Sequence, residues 1–187
     1  LPVTAEATPH HLSLDESALA DFDTVFKVNP PLRTAADVAA VRRGLAEGVI
    51  DAIATDHAPH PQEAKEAPFD QAPFGMLGLE TALAVAVTEL CGSGEGGDAM
   101  GLADVVAALS WRPAAIAGLS DEHGGPIAPG AVANLCVFDP RARWVVDPQA
   151  MASRSRNTPF AGRRLTGRVR HTVYSGEVMV VDGEAQR

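Results

Sequence analysis

The chain has 187 residues, 46% of them apolar and 21% charged, a balance that sustains a folded core and excludes a disordered chain. With 15 Lys+Arg against 24 Asp+Glu the formal charge is −9, which argues against a nucleic-acid partner because phosphate binding needs concentrated positive surface. No apolar run approaches the roughly 18–20 residues of a membrane span, and two widely separated cysteines, Cys91 and Cys136, form neither a zinc-ribbon spacing nor a disulfide framework, as expected of a cytoplasmic protein.

The chain opens Leu1-Pro2-Val3-Thr4, with no Met and no signal-peptide pattern, and reads as a piece of a longer protein. Residues 3–7 read as a short strand that breaks at Thr8-Pro9. Residues 13–22 read as a short helix or turn, and 26–28 as a short extended piece before Asn29-Pro30-Pro31. Thr34 caps a clearer helix in which Val38, Val41 and Leu45 recur at helical spacing until Gly48 stops it. Residues 49–55 are apolar and β-competent and end in Asp56-His57. From there to Met76 the chain is a loop punctuated by Pro59, Pro61, Pro68 and Pro73, of a length usually reserved for a functional loop or lid.

Leu79, Leu83, Val87 and Leu90 mark a further helix. A glycine-rich connector at 92–97 lacks the Lys and Ser/Thr of a phosphate loop, and helices follow at 102–109 and 113–119. After Gly124-Gly125-Pro126 the pattern changes to short β runs at 132–138, 143–146, 169–174 and 178–181. Alternating strands and helices followed by strands alone predict the end of an α/β barrel and then a small β domain.

The segment Thr55-Asp56-His57-Ala58-Pro59-His60 places a carboxylate and two imidazoles where a buried strand meets a loop. Barrel strands direct their carboxyl ends into the active site. A carboxylate there can bind metal and carry protons, while a nearby His can hold an anionic substrate. Asp56 could equally cap the turn, with both His solvated, and the residues alone leave both readings open.

Lys27-Val28-Asn29-Pro30-Pro31-Leu32-Arg33, Thr55-Asp56-His57-Ala58-Pro59-His60 and Pro73-Phe74-Gly75-Met76-Leu77-Gly78 resemble the dihydroorotases of the amidohydrolase superfamily. Thr8-Pro9-His10-His11-Leu12, Asn134-Leu135-Cys136-Val137-Phe138-Asp139 and Asn157-Thr158-Pro159-Phe160-Ala161-Gly162 agree with it, so the likeness runs through the whole chain. Hydantoinases and allantoinases share the later motifs but usually lack the Asn before the prolines and the second His.

The resemblance implies an α/β fold: residues 1–125 as the C-terminal portion of a TIM-type (β/α)8 barrel, about strands 7–8 with helices, and 126–187 as part of a small β-sandwich domain completed by the missing N-terminus. The first six strands, with most metal ligands, would lie upstream of Leu1. The implied activity is reversible closure of N-carbamoyl-L-aspartate to dihydroorotate in pyrimidine biosynthesis, with zinc as cofactor, two ions in the complete subunit, and this piece inactive alone. Asp56 would bind one zinc and move the proton between water and ring nitrogen. Asn29, His60, Phe74 and Gly75 would bind the substrate. Alternatives are a related cyclic amidohydrolase (hydantoinase or allantoinase), or a non-catalytic scaffold for aspartate transcarbamoylase. The partners admitted are a small-molecule substrate, a homo-oligomer and aspartate transcarbamoylase, with no nucleic acid and no membrane.

Other residues have plainer expectations. His10 and His11 pack or hydrogen-bond near the mouth of the first strand, and His57 orients its loop. His123 and His171 are exposed. Cys91 and Cys136 are small core residues and Trp111 and Trp144 packing anchors. Arg154, Arg156, Arg163, Arg164, Arg168 and Arg170 form a solvated face. Lysine is rare: Lys27 and Lys65 are the only two, a bias to which the sequence attaches no function.

Overall fold

The computed structural model describes residues 2–92 and 99–186, so that of the connector expected at 92–97 only Gly92 falls within them. In the first half, β1 (Glu6–Ala7) and β2 (Ala52–Ile53) pair in parallel, Ala7 opposite Ile53. Only the last two residues of the first expected run and the middle of the second meet strand geometry, yet the pairing continues on both sides: the Asp51 amide donates to Ala5 O (2.9 Å) and the Ala54 amide to Ala7 O (3.0 Å). Ala52 and Ile53 are both buried, as in a parallel strand covered on two faces.

The crossover between them carries α1 (Ala35–Ala46), opened by a capping box in which Thr34 and Asp37 satisfy each other's amides. The segment expected as a short helix or turn at 13–22 forms a 3-10 turn, Glu16–Leu19, capped by Asp15, and Thr24–Phe26 forms another where an extended piece was expected to begin. The proline-rich loop contains α2 (Gln62–Lys65). Then come α3 (Ala82–Leu90), α4 (Leu102–Leu109) and α5 (Trp111–Ile116). Helix α5 starts two residues before the expected position because Pro113 sits in its first turn, where a missing N–H costs no helical bond. Trp111 is exposed there rather than buried as a packing anchor, contrary to expectation.

Ala7, Leu12, Leu45 and Ile53 join Ala86, Val87, Leu90, Met100, Val105 and Ala108 in one core, so both strands are held by the helices that flank them. In the second half β3 (Leu135–Val145), β4 (Arg164–Tyr174), β5 (Glu177–Val181) and β6 (Glu184–Ala185) form an antiparallel meander in that order. The two β runs expected at 132–138 and 143–146 are one strand. Its pairing jumps from Asp139–Arg168 to Arg143–Thr166, a bulge that accommodates Pro140. Gly167 lies at that break with φ +94°, and a Cβ there would stand 3.3 Å from Val87 Cβ, so α3 rests directly on β4. Trp144 anchors the same spot, its indole N–H donating to Gly167 O (2.9 Å).

Helix α3 is tied to its surroundings by charge as well. Glu89, mostly buried, accepts from Arg42 of α1 and from Arg163 (2.6 Å), while Arg163 also donates to Ser13 Oγ (2.6 Å). Arg163 thereby leaves the solvated arginine face. Cys136 is exposed on β3 rather than in the core, and Cys91 is half-buried. His123 and His171 are half-buried, not exposed; His123 stacks on Tyr174 with ring centroids 6.4 Å apart. Among the described residues no helix is long and apolar enough to cross a membrane.

Candidate active site

The carboxyl ends of β1 and β2 lie side by side, and the residues that follow them meet. After β1 the chain turns through His10–Leu12; after β2 it reaches Asp56, which adopts φ +45°, an uncommon backbone state for a residue with a side chain. The Asp56 side chain is 45% exposed, and its Oδ2 stands 3.8 Å from Nε2 of His10, which is almost wholly buried. That separation is within ion-pair range but too long for a hydrogen bond. Burial, reinforced by neighbouring His11, pushes the His10 pKa down to about 3, so His10 is neutral at physiological pH and no ion pair forms. His10 Nε2 is the buried side-chain polar atom left without a hydrogen-bond partner among the described residues. Of the two expected readings, His10 packs, its ring 4.6 Å from that of His11 between centroids, and His11 hydrogen-bonds: its ring bonds Thr8 Oγ1 (2.7 Å) and Pro30 O (3.1 Å), bracing the Asn29-Pro30 turn against the end of β1.

His57 turns away from solvent chemistry. Its Nδ1 accepts the amides of Gly78 (3.2 Å) and Leu79 (3.1 Å), so it orients the loop, as expected. Beyond it the chain runs as a two-residue extension beside Met76: His57 bridges Met76 in parallel and the Ala58 amide donates to Met76 O (2.9 Å). Gly78 must be glycine for this approach, since a Cβ would stand 2.4 Å from Thr55 O.

His60 ends the constellation. Its Nε2 donates to Phe74 O (2.9 Å), and the Gly75 amide donates to Lys27 O (2.9 Å), two residues before Asn29. His60, Phe74 and Gly75 are thus brought together, and Asn29, exposed, is attached to the same loop from its far side. Gly75 has φ +118°, and a Cβ there would lie 2.5 Å from Ala58 Cβ and 3.3 Å from His60 Nε2. Phe74 is exposed.

The two lysines explain their rarity by their place. Both are buried, and both spend their ammonium groups on this loop. Lys27 Nζ donates to Ala72 O (2.7 Å), Phe69 O and Asp70 O and lies 4.7 Å from the Phe74 ring centroid. Lys65 Nζ bonds Thr24 O and Pro73 O, both at 2.9 Å. No spacing rule in the sequence signals this role. Burial first, then the nearby Lys27 charge, lowers the Lys65 pKa to about 8. Between pH 8 and 10.5 the unfolded chain keeps a proton that the folded one has released, so this group makes stability rise with pH over that window. Over that window, the stability of the complete protein to denaturant should change with pH by a more positive slope than that of Lys65→Met; equal slopes would contradict the assignment.

Zinc needs three or four convergent ligands. Among the described residues no three His, Cys, Asp or Glu side chains gather so as to hold a metal. Asp56, exposed at a strand end, supplies one fitting oxygen. The described residues do not by themselves form a metal site.

The amidohydrolase family pattern aligns with residues 4–179, a span that includes both parallel strands, Asp56 and the loop bearing Gly75. The chain belongs to the amidohydrolase family. This amidohydrolase chain is 48% identical over 184 residues to the dihydroorotase of Streptomyces coelicolor, covering 98% of the chain and 42% of that protein. It is 47% identical over 180 residues to the dihydroorotase of Pelotomaculum thermopropionicum, covering 96% of the chain and 40% of that protein. The chain thus spans about two fifths of the length of these curated relatives. Among solved structures, the D-hydantoinase (dihydropyrimidinase) of Thermus sp. matches with a TM-score of 0.88 and 26% identity, over 99% of the chain and 41% of that structure. The shared architecture is that of the amidohydrolases, mixed α/β.

Proposed function

We propose that the complete protein containing this chain is a dihydroorotase, interconverting N-carbamoyl-L-aspartate and dihydroorotate in pyrimidine biosynthesis, in the cytoplasm. One observation supports it above the others. Asp56 at the end of β2, and the His60–Phe74–Gly75 contact attached to Asn29, lie on one continuous stretch of structure in a chain 48% identical to a dihydroorotase. On this reading β1 and β2 are the seventh and eighth strands of a (β/α)8 barrel. Residues 1–125 belong to that barrel and 126–187 to a small β-sandwich domain.

Asp56 would give one oxygen to the zinc pair of the complete subunit. Zinc, when bound, polarises the scissile carbonyl and makes water nucleophilic near neutral pH. Asp56 then takes the proton released as the amide bond is attacked and returns it to the ring nitrogen that leaves, a double duty suited to a carboxylate exposed at a strand end.

His60, Asn29, Phe74 and Gly75 bind the substrate. Because His60 Nε2 donates to Phe74 O, Nδ1 is the nitrogen left for substrate: neutral, it accepts a ring N–H; as imidazolium, it donates to the carboxylate. Gly75 lets a ligand approach the backbone where a side chain could not stand.

His60→Ala in the complete protein should remove a hydrogen bond to a charged group, roughly 1.5–3 kcal/mol, raising KM for dihydroorotate by about 10- to 150-fold. Zinc content should be unchanged. Loss of zinc at constant KM would contradict the role. The overall reading is tested by assaying the complete protein against dihydroorotate, hydantoin and allantoin.

A further inference from the structure

Asn157 is distant in sequence from the ends of β1 and β2, yet its side chain enters the loop cluster just described. It is 5% exposed. Its Nδ2 donates to Ala58 O (3.0 Å) and Gly75 O (3.4 Å), and its Oδ1 accepts the His60 amide (3.2 Å). Its own carbonyl accepts the Leu77 amide (3.0 Å). A single residue therefore bonds both of the paired segments, 58–60 and 75–77.

The base beneath it is rigid. Asn157, Thr158, Pro159 and Phe160 are all buried, and Phe160 packs among Ala84, Val85, Val146 and Leu165, joining α3 to the strand bearing Leu165. Only a primary amide supplies two donors and one acceptor in this space. Aspartate would keep the acceptor and set a charge against two carbonyls; leucine would fill the volume and take away the partner of three backbone groups, that of Gly75 buried and those of Ala58 and His60 half-buried.

We infer that Asn157 is a positioning residue for the substrate loop: its amide fixes His60 relative to Phe74–Gly75, so that the β-rich half of the chain sets substrate affinity in a site to which it contributes no catalytic group. This deepens the dihydroorotase reading and rests on it. Asp56 is not among the partners of Asn157, so the effect should fall on substrate binding and spare metal and turnover.

The experiment uses the complete, zinc-loaded protein and its variants Asn157→Asp and Asn157→Leu, at a temperature well below their melting. KM for dihydroorotate should rise about tenfold or more while kcat stays within about threefold, as expected when binding groups are misplaced. Zinc content should equal that of the wild type. Amide hydrogen exchange should quicken at residues 57–60 and 75–77 and stay unchanged in β3 and β4. A wild-type KM in a folded variant overturns the inference, as does a loss confined to melting temperature. Should both variants fail to fold, Asn157→Ser, which keeps one donor and one acceptor, is measured in the same way and should show the same split between KM and kcat. If the wild-type protein does not turn over dihydroorotate, the function reading fails. Exchange then decides the inference alone: faster exchange in the two segments supports the clamp, and unchanged exchange overturns it.

Discussion

Asp56→Asn in the complete protein should lower turnover of dihydroorotate by about 10²–10⁴-fold with the fold intact, because Asn is nearly isosteric and keeps an oxygen for metal but cannot take up a proton. The backbone at Asp56 already adopts φ +45°, a state Asn tolerates as well as Asp does, so the substitution adds no strain of its own. The side chain is exposed, so no buried contact is lost either. Circular dichroism and melting should therefore match the wild type. Near-normal turnover with full, measured zinc content would remove Asp56 from the mechanism.

Gly75→Ala should be nearly as damaging, by a different route. A Cβ at Gly75 would meet Ala58 Cβ at 2.5 Å and His60 Nε2 at 3.3 Å, and φ +118° is hostile to any side chain. Strained backbone and overpacking each cost on the order of 1–3 kcal/mol. The loop can escape only by moving away from Ala58 and His60. KM should rise by at least the tenfold that about 1.4 kcal/mol represents. Gly48→Ala is the control: its φ is +73° but nothing lies within 4 Å of the added carbon, so it pays backbone strain alone and should leave KM unchanged. Equal effects of the two substitutions on KM would show that the close approach at Gly75 does not matter.

Much of this site could be read from the chain, because it is written locally. The strand that leads to Asp56, the Thr34-capped helix and the helix Leu102–Leu109 all follow from periodicity and capping within a dozen residues. The parts that escaped are those made by contacts far apart in sequence. Asn157 bonds residues nearly a hundred positions earlier, and nothing in the Asn157-Thr158-Pro159-Phe160 stretch says which backbone it will face. Lys27 and Lys65 look like ordinary solvated cations until the proline-rich loop folds its carbonyls onto them. The long strand β3 looked like two because Pro140 interrupts the alternation; the bulge opposite Gly167 absorbs it. Trp111 and Cys136 failed in the other direction, since residue type predicts burial only on average.

The central claim is that Asp56 and the clamped His60–Gly75 loop serve a dihydroorotase. It is tested most directly by steady-state assay of the purified, zinc-loaded complete protein with N-carbamoyl-L-aspartate and dihydroorotate in the two directions, beside hydantoin and allantoin. The account predicts turnover of the first pair, at a kcat/KM at least about 10²-fold above that for either rival ring, since a site built to bind a charged group rejects an analogue lacking it. Preferential hydrolysis of hydantoin or allantoin, or no turnover of any of the four with zinc bound, would contradict it.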